Sequence, residues 1–144
     1  MCCVKNMPIT IKDFVSLLSQ HTLSYGHARG WLEDQDERFC DKLLDRRTAT
    51  RILHRYMKIE LGIPDLKDIS AANVLADLYT CRACVNDVAQ VFVRGIIKSR
   101  QVERDGKIYE VFDMGGLVSD VETKEWIATL RQAQDKLATL FAMT

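Results

Sequence analysis

Slid against itself by 74 residues, the chain keeps its apolar register. Ile11 falls on Val85, Phe14 on Val88, Val15 on Ala89 and Leu18 on Phe92; further on, Leu43 falls on Leu117, Leu44 on Val118, Ile52 on Trp126 and Leu53 on Ile127. Two candidate helix caps, Asp45 and Ser119, coincide under the same shift. Helical periodicity can align one pair of helices by chance. Two helices and the loop between them, held in register without a gap, point to internal duplication. The expected fold is mainly α: two helix-loop-helix repeat units, 8–62 and 68–142, packed as one domain. Either unit alone is too small to bury its apolar faces well.

The elements follow from local pattern. In "ITIKDFVSLLSQHTL", Ile11, Phe14, Val15 and Leu18 share one helical face, and Thr10 with Asp13 caps the start. In "DRRTATRILHRYMKIELG", Ala49, Ile52, Leu53, Tyr56, Met57 and Leu61 line the inner face, Asp45 is the N-cap, and Gly62 with Pro64 stops the helix. The stretch between them, "SYGHARGWLEDQDERFCDK", reads as a polar loop. From Ser70 to Ile97 the chain is apolar, with a break expected near Thr80–Cys84. Asp105-Gly106 between β-favouring residues lets the next loop hold a short β-hairpin near 102–112. A last helix opens with the capping box Ser119-x-x-Glu122 and points Trp126, Leu130, Ala133, Leu137 and Leu140 inward. The duplication predicts matched helices over 11–23 and 85–97, and over 46–57 and 120–131.

Charge excludes some classes of function. Twenty basic residues balance twenty acidic ones, and residues 1–74 carry 11 basic against 10 acidic, residues 75–144 9 against 10. No half is basic enough to announce nucleic acid, so any electrostatic function is local. No run reaches the roughly 18 apolar residues of a membrane span. The opening "MCCVKNMPITIKDF" lacks the pattern of a secretory leader, and five cysteines are an odd number for a disulfide frame. Both features predict reduced thiols and, as written, a cytoplasmic chain.

Gly95-Ile96-Ile97, a polar loop with Phe112 near its end, and then a capped helix together resemble the S-layer homology module. Asp68-Ile69 resembles the opening of that module, and Leu44-Asp45-Arg46-Arg47-Thr48 its Ile-Thr-Arg-Ala-Glu-like signature, with Arg46 at the arginine. The second unit departs from the signature: Val118-Ser119-Asp120-Val121-Glu122 has aspartate where the arginine belongs. The resemblance implies a non-catalytic binding module that attaches to acidic, often pyruvylated, cell-wall polysaccharide. It implies Arg46 as a ligand contact and a place at the cell surface.

Other constellations carry two readings each. Arg47, Arg51, Arg55 and Lys58 line one helix face, either as its solvated side or as an anion-binding stripe. An anion site at the start of this helix would use Arg46, Arg47 and Arg51 together with unpaired backbone N–H groups. Cys81-Arg82-Ala83-Cys84 is a single CxxC without a second ligand pair at zinc spacing; the expectation is that both cysteines pack against the core without metal, with metal and redox roles as the alternatives. "DQDERFCDKLLD" has Phe39 where a calcium loop needs glycine. Three histidines stand in no nucleophile or metal motif, and no Gly-rich phosphate loop is present, so the expectation is no enzyme and no cofactor. Trp31 and Trp126 read as core. A winged-helix DNA binder is the alternative, with Arg94, Lys98, Arg100, Arg104 and Lys107 on a helix and hairpin; a helical protein-interaction scaffold is a third option. The partner expected is acidic glycan or protein, without membrane insertion.

Overall fold

A computed structural model describes residues 7–142, with side chains described to residue 136. Among these residues the fold is mainly α: six α-helices and one two-stranded hairpin. The helices are α1 (Ile11–Leu18), α2 (Leu23–Arg29), α3 (Asp34–Arg38), α4 (Arg46–Ile59), α5 (Val85–Val93) and α6 (Asp120–Ala142). Strands β1 (Arg100–Arg104) and β2 (Lys107–Val111) pair antiparallel across Asp105-Gly106, both at positive φ, which is what a two-residue turn of the favoured hand requires.

Helices related by 74 residues begin together, α1 with α5 at Ile11 and Val85, α4 with α6 at Arg46 and Asp120. The first pair ends sooner than expected, at Leu18 and Val93, while the second runs past the expected bounds, to Ile59 and Ala142. α5 stops at Val93 because Gly95, at φ 75°, turns the chain left-handed. The Gly95 N–H then donates to Phe92 O at 2.9 Å and the Ile96 N–H to Val91 O at 3.0 Å. This is a Schellman stop, and it carries Ile96 and Ile97 into the core. Arg29-Gly30-Trp31-Leu32 ends α2 in the same way: Gly30 donates to His27 O, Trp31 to Gly26 O, and Trp31 and Leu32 are buried. The stretch expected to be a polar loop thus holds two short helices, and Trp31, expected in the core, is fully buried.

Three helices also share one form of entry, a buried aliphatic residue followed by a short polar one: Ile9-Thr10 before α1, Leu44-Asp45 before α4, Val118-Ser119 before α6. The aliphatic residues close a ring of backbone hydrogen bonds. Ile9 N donates to Val118 O (3.1 Å), Val118 N to Leu44 O (3.0 Å), and Leu44 N to Ile9 O (2.9 Å). Thr10 Oγ1 accepts from Asp13 N at 3.2 Å. Ser119 and Glu122 form the expected capping box, with Ser119 Oγ accepting from Glu122 N at 3.1 Å and Glu122 Oε1 from Ser119 N at 3.3 Å.

The chain divides into two compact units, one of residues 1–45 with 117–144, the other of residues 46–116. Their boundaries differ from those of the sequence repeats. In the first unit α1 packs on α6, and in the second α4 packs on α5. Each unit therefore combines the first helix of one repeat with the second helix of the other. Phe14, Val15, Leu18, Trp31, Leu44, Trp126 and Leu130 fill the first core; Ile52, Leu53, Met57, Val88, Val91, Ile97 and Phe112 fill the second. Leu137 and Leu140, expected to face inward, lie outside the described side chains.

The segment from Ser70 breaks, as expected, but it does so as three 3₁₀ turns, Ser70–Val74, Leu78–Thr80 and Arg82–Cys84. The thiols depart from expectation: Cys81 and Cys84 are joined as a disulfide. The 3₁₀ turn brings their Cα atoms to 5.2 Å, inside the range a disulfide spans. Cys40 is free and partly buried.

Candidate functional site

Arg46 opens α4 and turns inward. It is 2% exposed; its Nε donates to Phe112 O at 2.8 Å, a terminal nitrogen donates to Lys98 O at 2.7 Å, and the guanidinium lies 4.9 Å from the Phe112 ring centroid. The fork expected to grip a ligand carboxylate holds carbonyls of the chain instead. The first N–H groups of α4 are occupied as well, with Arg46 N donating to Gly116 O (2.8 Å) and Arg47 N to Met114 O (2.9 Å). An anion arriving at this helix start would have to displace backbone carbonyls. Arg47 is exposed and Arg51 partly buried, so the three arginines do not share one surface. Lys58, at the far end of the stripe, pairs with Asp65 at 3.5 Å.

The second unit offers a cleft that the sequence reading did not locate. Its floor follows from strand register. Arg100 pairs with Val111, Val102 with Tyr109, and Arg104 with Lys107, so Val102, Arg104, Tyr109 and Val111 project from one face of the hairpin. Its wall is Ala76, Asp77 and Thr80. Three hydrogen bonds fasten the wall to the strands. Ala76 N donates to Glu110 O at 2.8 Å, Asp77 Oδ1 accepts from Phe112 N at 2.7 Å, and Asp77 Oδ2 accepts from Asp113 N at 2.8 Å. The space enclosed is about 420 Å³, within the roughly 300–1,000 Å³ of small-ligand sites. Apolar Val102 and Val111 and the ring of Tyr109, 40% exposed, lie beside polar Thr80, Asp77, Arg104 and Asp105. An apolar platform with a few fixed polar groups suits a ligand that has a flat carbon face and hydroxyls at its edge.

A second polar constellation lies in the same unit. His54 of α4 is buried between Asp87 of α5 and Asp65, with Nδ1 at 2.6 Å from Asp87 Oδ1 and Nε2 at 2.7 Å from Asp65 Oδ1. Burial pushes the His54 pKa down, but the hydrogen bonds and charges of Asp87 and Asp65 outweigh it, and the net shift is upward. Gln90 holds the same loop by both ends of its amide, accepting from Leu66 N at 2.8 Å and donating to Leu66 O at 3.1 Å. These groups staple α4, the 64–66 loop and α5 together. Among the described residues no cluster of His, Cys, Asp and Glu has metal-binding geometry.

No protein-family model matches the chain, and no curated protein or solved structure matches it. Among the described residues no helix is long and apolar enough to cross a membrane.

Proposed function

We propose that the chain is a non-catalytic glycan-binding module whose hairpin cleft receives a sugar of an acidic cell-wall polysaccharide. The observation that carries this reading is the composition of the cleft, with Tyr109 and Val102 as a stacking floor and Asp77, Thr80 and Arg104 as polar groups beside it. A pyranose ring lays its carbon face on Tyr109 and turns its hydroxyls toward Asp77 and Thr80. Arg104 is the one cation among the lining residues, and it meets the acidic substituent. This moves the ligand contact away from Arg46, whose guanidinium serves the fold.

The winged-helix alternative has less support. The hairpin forms where a wing would, but α5, "VNDVAQVFV", contains no lysine or arginine, and its Asp87 and Gln90 are engaged with His54 and Leu66. A recognition helix without cations has little means to approach phosphate.

The test is co-sedimentation and calorimetry with purified acidic cell-wall polysaccharide, the same polymer stripped of its acidic groups, and duplex DNA. Binding of the acidic polymer, weakened by Arg104→Ala and removed by Tyr109→Ala in folded protein, supports the reading. Equal binding of both polymers removes the role given to Arg104. Binding to neither polymer overturns the reading and leaves a protein-interaction scaffold; binding to DNA alone restores the winged helix.

A further inference from the structure

The cleft wall runs straight into the disulfide. Thr80, which lines the cleft, is followed at once by Cys81, and Cys81–Cys84 closes the 3₁₀ turn that leads into α5. The cross-link spans only three residue steps. A loop so short removes little entropy from the unfolded chain, so the bridge is a weak stabiliser in the way disulfides usually act. Its surroundings suit exchange better. Thr80, Arg82 and Ala83 are exposed, Tyr79 is 66% exposed, and the two cysteines are themselves only part-buried.

We propose that Cys81–Cys84 is a reversible thiol–disulfide exchange site, reduced by a protein dithiol, and that its redox state sets the affinity of the adjoining cleft. The second half rests on the glycan reading above; the first does not.

The chemistry has a direction. Cys84 sits at the N-cap of the nine-residue α5, and its own side chain makes no cap hydrogen bond. A thiolate at Cys84 stands at the positive end of that helix, which makes it the better leaving group. A thiolate of the incoming dithiol attacks Cys81 Sγ, the Cys81–Cys84 bond breaks, and its electron pair leaves on Cys84. The second thiol of the partner then attacks the mixed disulfide and releases Cys81. Two electrons and two protons pass from the partner dithiol, which becomes a disulfide, to the cysteine pair. Reduction frees the 81–84 turn from its cross-link, and the segment Ala76–Thr80 loses a fixed anchor at its C-terminal end while keeping its hydrogen bonds to Glu110, Phe112 and Asp113. A less fixed wall holds a ligand less tightly.

The experiment equilibrates the full chain in buffers of defined dithiothreitol ratio, quenches with a maleimide, and locates the labels by peptide mass mapping. Circular dichroism follows the fold in the same samples. Cys81 and Cys84 are expected to gain label together, and to lose it together on reoxidation, with the helical signal unchanged. Labelling of both without reductant, or labelling only after denaturant is added, overturns the exchange site. Affinity for the acidic polysaccharide is then compared between oxidised chain, reduced chain and the Cys81→Ser/Cys84→Ser double variant. Loss of affinity in the last two, relative to the first, is the expected result. Equal binding by all three overturns the regulatory half alone, while binding by none overturns the glycan reading and leaves the labelling result standing.

Discussion

Nδ1 of His54 lies 2.6 Å from Oδ1 of Asp87, with the imidazole 5% exposed. On the other side Nε2 lies 2.7 Å from Oδ1 of Asp65. A carboxylate only accepts, so both ring nitrogens must donate, and the buried ring is an imidazolium between two anions. Asn86 Nδ2 donates to the remaining Asp65 oxygen at 3.2 Å, and Lys58 Nζ lies 3.5 Å from it. The charge that joins α4 to α5 is therefore titratable.

This arrangement predicts a defined pH dependence. The folded-state pKa of His54 is raised above its ordinary 6.5, so its contribution is complete below that ordinary value and fades as pH rises through the folded value. Desolvation pushes the Asp65 pKa up, but its hydrogen bonds to His54 and Asn86 and the charges of His54 and Lys58 bring it below 3.8 overall. Its contribution is present above 3.8 and fades as pH falls through the lower folded value. The second unit should be most stable between these limits and should lose stability on either side of them. Melting temperature against pH checks this, and His54→Gln should flatten the alkaline limb while lowering stability by about 3 kcal/mol. An alkaline limb unchanged by the substitution would show that another group controls it.

Arg46 yields a prediction opposite to that of a ligand residue. Replacing it by alanine leaves Phe112 O and Lys98 O without their charged donor and should cost about 3 kcal/mol in denaturant unfolding. Lysine should not rescue it, since one ammonium cannot reproduce a planar fork that also stacks on Phe112. Arg47→Ala, at an exposed position, should stay within about 0.5 kcal/mol of wild type.

How much of this was legible can be read from particular residues. Ile11, Phe14, Val15 and Leu18, and Ile52, Leu53 and Met57, announced buried helical faces, because a face packed on a core needs apolar residues at helical spacing. Asp105-Gly106 announced its turn because few residues accept positive φ in sequence. Cap signals at Thr10 and Ser119 are local and were equally readable. That the Ile9-Thr10 entry matches the other two stayed hidden, because the 74-residue shift sets Thr10 against Cys84. Trp31 was legible as core and is fully buried; what stayed hidden was the helix stop at Gly30, which turns Trp31 and Leu32 inward from among charges. The inward turn of Arg46 depends on Phe112 and Lys98, 66 and 52 residues away. The cleft depends on hydrogen bonds from Asp77 across 35 and 36 residues. Neither separation leaves a periodic trace.

The ring joining Ile9, Leu44 and Val118 predicts a pattern of protection. All three amides donate to backbone carbonyls, and all three residues are buried. In native-state hydrogen exchange their amides should open only with the first unit as a whole, and so report one common free energy. The exposed hairpin-tip amides of Asp105 and Gly106 should exchange far sooner. Separate opening energies for the three ring amides would show that the helix entries do not act together.

Gly95 and Gly26 separate backbone strain from steric exclusion. Gly95 has φ 75°, and nothing lies within 4 Å of the place a Cβ would take there, so Gly95→Ala should cost about 1 kcal/mol from the left-handed conformation alone. At Gly26 a Cβ would stand 2.7 Å from Leu32 Cδ1 and 2.9 Å from the Trp31 ring. Gly26→Ala must push apart the turn that buries Trp31, and by overpacking it should cost about 2 kcal/mol or more. Paired urea titrations give both numbers, and a reversed order would mean that the Trp31 turn yields more easily than its burial implies.

Asp77 should couple stability and binding, where Arg104 affects binding alone. Both Asp77 oxygens are acceptors of backbone N–H groups, Oδ1 from Phe112 and Oδ2 from Asp113, and this pair fixes the chain as it leaves β2. Asparagine offers one acceptor oxygen in place of two, and its NH₂ would confront the N–H of whichever residue lost its partner. Asp77→Asn should therefore cost about 2 kcal/mol by losing one charge-assisted hydrogen bond and weakening the other. It should also loosen the wall against the Val102–Tyr109 floor and so weaken glycan binding. Arg104 is exposed beside the turn, and Arg104→Ala should leave the unfolding midpoint close to wild type while binding of the acidic polymer falls. The check is a denaturant titration of each variant beside its binding isotherm. If Asp77→Asn unfolds like wild type yet binds poorly, the carboxylate serves the ligand and not the wall; if it unfolds early yet binds fully when folded, the cleft does not depend on the anchoring of that wall.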